Sequence, residues 1–224
     1  MTAIVDYRAG NLTSVKYAFA ALGEEAAVTS DPEVVRSADR VVFPGVGAAR
    51  SAMGNLVGAG LAEAVKSAAE GGRPFLGICL GMQILFEESE EDGGVKCLGV
   101  LPGRVRRFPD VPGCKVPEIG WNGVEVTGNG ERVTGNGERV TGNGERGIRL
   151  RQGYGGQAGN GELGEFYFVH SYYAELCQWT FGVTEYAGVK FTSMVKKGRL
   201  WACQFHPEKS GRLGLELLKE WLSC

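Results

Sequence analysis

As far as Ser89, the chain switches period in strict succession, each short β-rich run being followed by a helical pattern. The runs are AIVDY then NLTSVKYAFAALG, AAVTS then DPEVVRSA, RVVFPG then ARSAMGNLVGAGLAEAVKSAAE, and PFLGI then CLGMQILFEES. Strands separated by helices cannot close as hairpins. They join by crossovers, which gives a mostly parallel sheet with helices on both faces. Asp31 before Pro32 supports the second helix, since the carboxylate caps free N–H groups where proline needs none.

From residue 115 onward, apolar and β-branched runs (KVPEIGWNGVEV, EFYFVHSYYAE, TFGVTEYAG, VKFTSMVKKG, RLWACQF) are separated by turns instead of helices, so antiparallel strands extend the sheet. A last helix follows Ser210, with Leu213, Leu217, Leu218, Trp221 and Leu222 on one stripe. The expectation is a single three-layer α/β domain over residues 1–224.

One stretch breaks this pattern. VTGNGER is written three times between Val126 and Arg146, and GNGE returns at Gly159–Glu162. Each unit has one valine, too few apolar positions for a coiled-coil seam. Residues 127–164 are therefore expected to form an inserted, mostly disordered loop, with a small β-solenoid as the alternative.

With 24 basic and 26 acidic residues the net charge is −2, too balanced for a nucleic-acid or anionic-membrane binder. Arg104, Arg106 and Arg107 read as a solvated strand face. MTAIVDYRAG is no secretory leader, and no apolar run is long enough for a bilayer, so a cytoplasmic location is expected. The six cysteines (79, 97, 114, 177, 203 and 224) have no paired short spacing of the zinc type. Neither a metal nor a cofactor is expected.

The strongest chemical motif is FLGICLGMQ, residues 75–83, where a strand runs through Gly77-Ile78-Cys79-Leu80-Gly81 into a helix. A nucleophile between glycines at a strand-to-helix turn is a nucleophile elbow. A helix N-terminus there favours thiolate over thiol. On this pentapeptide alone a core cysteine is an equal reading. There are two histidines to serve as acid-base. His206 in QFHPEKS has Glu208 two residues on, on the same face of an extended chain, so the carboxylate can orient the imidazole. Cys203 points to the other face and reads as packing. His170 in FYFVHSYY has no carboxylate at such a spacing and reads as a strand histidine with a structural hydrogen bond. Together the motifs predict a Cys79–His206–Glu208 triad. FPGVGAA, residues 43–49, is a glycine-rich turn at the carboxyl end of a strand, and its N–H groups at Gly45, Val46 and Gly47, with that of Leu80, are candidate oxyanion donors.

These segments resemble the class I (triad) glutamine amidotransferases, and within them the glutaminase subunits of imidazole glycerol phosphate synthases. GICLGMQ and QFHPEKS fit several class I glutaminases; DYRAGNL, PGVG, GWN and FVHSYY point to the narrower group. The resemblance implies hydrolysis of L-glutamine through a Cys79 thioester. Ammonia would pass to a separate (β/α)₈ cyclase subunit that makes imidazole glycerol phosphate in histidine biosynthesis. It also implies substrate contacts at Gln83, Glu91, His170, Ser171 and Tyr172, and a partner-facing group of Trp121, Asn122 and Lys209. Glu118 stands where the group has histidine, and Arg8-Ala9 where Gly-Met is common. The group crosses from GWN to YFVHSYY by a shorter connection, which marks 127–164 as an interruption. A glutaminase serving another synthase and a free γ-glutamyl hydrolase share the triad, and a silent scaffold is the non-enzymatic alternative.

Overall fold

A computed structural model describes residues 1–8, 12–127, 131–133, 139–141 and 162–224. The first half alternates as its sequence requires. It contains β1 (Thr2–Val5), α1 (Leu12–Ala21), β2 (Ala26–Thr29), α2 (Pro32–Ser37), β3 (Arg40–Gly45), α3 (Ala49–Gly58), α4 (Ala62–Glu70), β4 (Phe75–Cys79) and α5 (Leu80–Gln83). Two-residue strands β5 (Glu88–Ser89) and β6 (Val95–Lys96) and then β7 (Arg104–Arg107) lead into the second half. There β8 (Glu118–Val126), β9 (Glu131–Val133), β10 (Arg139–Thr141), β11 (Glu162–His170), β12 (Tyr172–Ala174), β13 (Thr180–Tyr186), β14 (Val189–Lys197) and β15 (Leu200–Cys203) precede α6 (Gly211–Leu222).

Strands β2, β1, β3, β4 and β15 lie side by side and parallel. Beyond β15 the sheet turns antiparallel through β14, which also pairs with β12 and β13, and β13 hands on to β8 and β11. Alternation along each buried strand assigns its side chains to two cores. Ala3, Val41 and Phe43 face Val35, Leu56 and Val65 of α2, α3 and α4. Ile4, Val42 and Leu76 face Phe19 of α1 and Leu217 and Trp221 of α6. Phe19 and Trp221 meet edge to face at 5.8 Å, locking those two helices together. The result is three layers, with a two-sided apolar sheet in the middle.

Two helical expectations need correction. Residues 49–70 form two helices, because at Ala59–Leu61 the N–H groups turn back to Asn55, Val57 and Leu56 while Gly60 takes a φ of +68°. The helix expected over residues 79–89 is shortened to α5. The carbonyls of Ile84, Leu85, Phe86 and Glu87 accept from Leu98, Val100, Gly99 and Cys97, so a neighbouring loop takes the bonds a longer helix would need. Asp31 does cap α2, accepting from the Glu33 N–H at 2.8 Å.

Strands β8 and β11 are antiparallel, with Glu118 opposite His170 and Glu125 opposite Glu162. Inside 127–164 the described residues are Thr127, the antiparallel pair β9–β10, and 162–164 as the start of β11. The rest of the segment expected to be disordered lies outside the described residues. At about 3.3 Å per residue, Glu162 stands roughly 26 Å along β11 from His170. Replacing residues 128–161 by an Asn-Gly turn should therefore leave the thermal unfolding midpoint within about 5 °C of the full chain. A larger fall would make the segment part of the packed domain.

Candidate active site

Strand β4 sits between β3 and β15 and ends at Cys79, whose backbone has φ 54° and ψ −114°. For a residue with a Cβ this is a strained position, worth about 1–3 kcal/mol, and it persists only where the surroundings enforce it. They do so by close contact. A Cβ on Gly81 would lie 1.9 Å from the Phe43 carbonyl oxygen, and one on Gly45 would lie 2.3 Å from the Tyr7 hydroxyl oxygen. Glycine at both positions lets the end of β3 touch the turn after Cys79. Since α5 is a single turn, its dipole adds little beside the sulfur, and individual donors matter more.

His206 follows β15 in extended conformation, and Pro207–Lys209 then fold into one 3₁₀ turn. The His206 Nδ1 is 2.8 Å from Glu208 Oε1. The carboxylate reaches the ring because the chain folds back on itself, not because the two residues alternate along a strand. Ser210 anchors this turn, donating to the His206 carbonyl at 2.6 Å and accepting from the Tyr167 N–H of β11 at 3.0 Å. The other ring nitrogen, Nε2, is buried, makes no well-aligned hydrogen bond among the described residues, and lies close enough to the Cys79 side chain to be charged by it. Burial alone would lower the His206 pKa. The Cys79 side chain and Glu208 outweigh it and push the value up to about 10. Cys203 is fully buried, and burial pushes its thiol well above the usual range, as expected of a packing cysteine.

Cys79 and His206 open on a cavity of about 310 Å³. Val46, Gly47, Leu80, Gln83, Glu91, His170, Ser171 and Tyr172 line it with them, while Gly45 is buried behind, in register with Cys79. Pro117 and Val169 complete the lining. Glu91 is half-buried, which raises its pKa, and its Oε2 accepts from the Ala49 N–H at 2.6 Å at the start of α3. A larger hollow of about 540 Å³, lined by Asp39, Arg40, Arg73 and Arg199, lies at the amino ends of the parallel strands. Neither cysteine nor histidine lines it, whereas both line the smaller cavity.

No short sequence spacing gives His170 a carboxylate, but the fold brings one beside it. Antiparallel pairing brings Glu118 opposite it, with Nε2 2.9 Å from Glu118 Oε2, while Nδ1 is 2.8 Å from the Tyr172 carbonyl oxygen. Both ring nitrogens are therefore engaged, and His170 borders the cavity as a wall. The Glu118 contact is a close N···O approach, not a linear hydrogen bond. Asn122 turns inward to donate to Glu118 Oε1 at 2.8 Å and to the Glu185 carbonyl at 3.1 Å. Trp121 stands 55% exposed on β8, edge to face with Tyr167, and Lys209 is exposed at the end of the Pro207–Lys209 turn.

Absent from the sequence reading is Gln204, fully buried, whose Nε2 is 3.7 Å from Cys79 Sγ. A signal was present, since Gln204 is two residues before His206 and so shares its face of an extended chain. The Val169 carbonyl, 4.0 Å from the same sulfur, carried no such signal, because backbone contacts depend on register. Among the described residues no cluster of metal-ligating side chains occurs, and no helix is long and apolar enough to cross a membrane.

Residues 3–222 match the glutamine amidotransferase class-I family. The imidazole glycerol phosphate synthase subunit HisH of Dehalococcoides mccartyi (strain CBDB1) is 43% identical over 222 residues, covering 99% of this chain and 96% of its own. The subunit of the same name from Methanothermobacter thermautotrophicus is 41% identical over 222 residues, covering 99% and 98%. Among solved structures, a glutamine amidotransferase superposes with a TM-score of 0.65 at 20% identity, covering 99% of this chain and 97% of its own. The PurLQS structure from Thermotoga maritima superposes with a TM-score of 0.63 at 16% identity, covering 99% and 97%. These two likenesses speak to the fold.

Two outcomes follow from the geometry. Gly81→Ala should cost at least about 2 kcal/mol in urea unfolding, because the new Cβ meets backbone that cannot step aside; a change under about 0.5 kcal/mol would mean the contact is loose. His206 has a folded pKa above its unfolded one, so its contribution to stability is complete below pH 6.5 and is lost as pH rises toward about 10. Between pH 7 and pH 10 the urea midpoint of the parent should fall more steeply than that of His206→Gln. Parallel slopes would contradict this.

Proposed function

The chain belongs to the class-I glutamine amidotransferase family, and from that premise we propose that it is the glutaminase subunit of an imidazole glycerol phosphate synthase, releasing ammonia from L-glutamine at Cys79. The observation that carries the reading is the convergence of Cys79 and His206 on one cavity, with Glu208 bonded to the far side of the imidazole. The cavity volume suits an amino acid.

In the first step the Cys79 thiolate attacks the side-chain carboxamide carbon of glutamine. A tetrahedral oxyanion forms, stabilised by N–H groups of the Val46-Gly47 turn and of Leu80. Oxyanion donors of this kind are worth about 10²–10³ in rate each. The C–N bond breaks as His206, protonated on Nε2, gives its proton to the departing nitrogen, leaving ammonia and a glutamyl thioester on Sγ. Water then gives a proton back to His206 and attacks the thioester, and the C–S bond breaks to release glutamate and regenerate the thiolate. Throughout, Glu208 holds Nδ1, so that Nε2 faces the reacting atoms and the imidazolium is stabilised. Gln83 and Glu91 are assigned to the amino-acid end of the substrate, with His170, Ser171 and Tyr172 as the wall against which it lies.

Ammonia is then consumed by a (β/α)₈ cyclase subunit, in a cytoplasmic heterodimer that serves histidine biosynthesis. Supporting this, Ile119 and Trp121 share one face of β8 and stand 63% and 55% exposed, an apolar pair next to the triad side of the molecule. Trp121 and Lys209 are assigned to that contact; Asn122, expected there too, faces the other side of β8 and holds Glu118 instead. A free γ-glutamyl hydrolase would share the triad but would not respond to a partner.

Glutamate release should be slow for the chain alone and strongly stimulated by a cyclase subunit carrying its nucleotide ligand, and Cys79→Ala should lower it on the order of 10⁴–10⁶-fold. Full activity without the partner, unchanged by its addition, would assign the chain to a free hydrolase or another synthase.

A further inference from the structure

A buried amide chain ends on the nucleophile. It begins at the Tyr172 carbonyl, which can only accept, so the Gln83 side chain must present its nitrogen there, at 2.8 Å. The same Gln83 Nε2 is 2.9 Å from Gln204 Oε1 and donates to it. With its oxygen committed to Gln83, Gln204 has its NH₂ group turned toward Cys79, Nε2 lying 3.7 Å from Sγ. Gln204 is completely buried and Gln83 nearly so, so no water competes for these donors. The orientation of Gln204 is thus determined by its partners.

From this geometry we propose that Gln204 is a further catalytic residue, an amide donor to the Cys79 sulfur that stabilises the thiolate both before attack and as it leaves the thioester. It supplies a neutral donor that remains in place when His206 has given up its proton. The four-residue α5 offers little field of its own. The donor also completes the sulfur's surroundings, opposite in sense to the Val169 carbonyl, which can accept from the thiol form at 4.0 Å. The inference rests on Cys79 being the nucleophile.

The test compares the parent, Gln204→Glu and Gln204→Leu by iodoacetamide labelling of Cys79, read by peptide mass across pH, together with glutaminase kinetics and thermal unfolding. Gln204→Glu keeps the shape and an acceptor for Gln83 but sets a carboxyl group against the sulfur. Gln204→Leu removes the donor. Both should label about tenfold more slowly near neutral pH. At high pH, where every sulfur is thiolate, they should label as fast as the parent or faster, because a less stabilised thiolate is the better nucleophile. Their kcat should fall about tenfold with KM nearly unchanged. Labelling slowed by one factor at every pH would make Gln204 a packing residue and overturn the proposal, as would labelling unchanged at every pH in folded variants. If blocking Cys79 in the parent left glutamine hydrolysis intact, the nucleophile assignment itself would fail, a result distinct from either of these.

Discussion

The site depends on backbone meeting backbone where β3 ends against the turn after Cys79. No side chain fits between the Phe43 carbonyl and Gly81, and this contact holds Cys79 in a backbone conformation that a non-glycine residue otherwise avoids. Everything chemical is arranged around that point. Strand β15, parallel to β4, delivers Gln204 and His206 from one side, and β11, stapled to the histidine turn through Ser210, delivers Val169 and His170 from another. The strain at Cys79 is stored in a sheet that is apolar on both faces and has little room to relax.

Local periodicity made most of the scaffold legible. The βαβ alternation specified the parallel half, and turn-separated apolar runs specified the antiparallel half, because both signals are carried within a few residues of each element. What escaped was decided by distant partners. The single helical pattern over residues 49–70 concealed a break at Gly60, where the chain turns back on α3. The expected helix after Cys79 lost its hydrogen-bond acceptors to the 97–100 loop.

The same division runs through the site. Cys79, His206 and Glu208 stood out because each sits in a short motif, although Glu208 reaches its partner by a 3₁₀ turn and not by strand alternation. His170 and Glu118 are far apart in the chain, and only the β8–β11 register brings them together. That pairing gives Glu118 a definite role. It is buried, it touches His170 and it receives Asn122, so it joins the outer strand surface to the wall of the cavity. Gln204 was accessible in principle, one face-sharing step before His206.

In the proposed mechanism a strained cysteine performs covalent chemistry on glutamine in this cavity. The most direct measurement is acid quenching of the chain during turnover, followed by peptide mass analysis. The peptide holding Cys79 should carry an added glutamyl group, removed by mild base as a thioester is. Steady glutamate release with no adduct on Cys79 under conditions where hydrolysis of the intermediate is slow would contradict it.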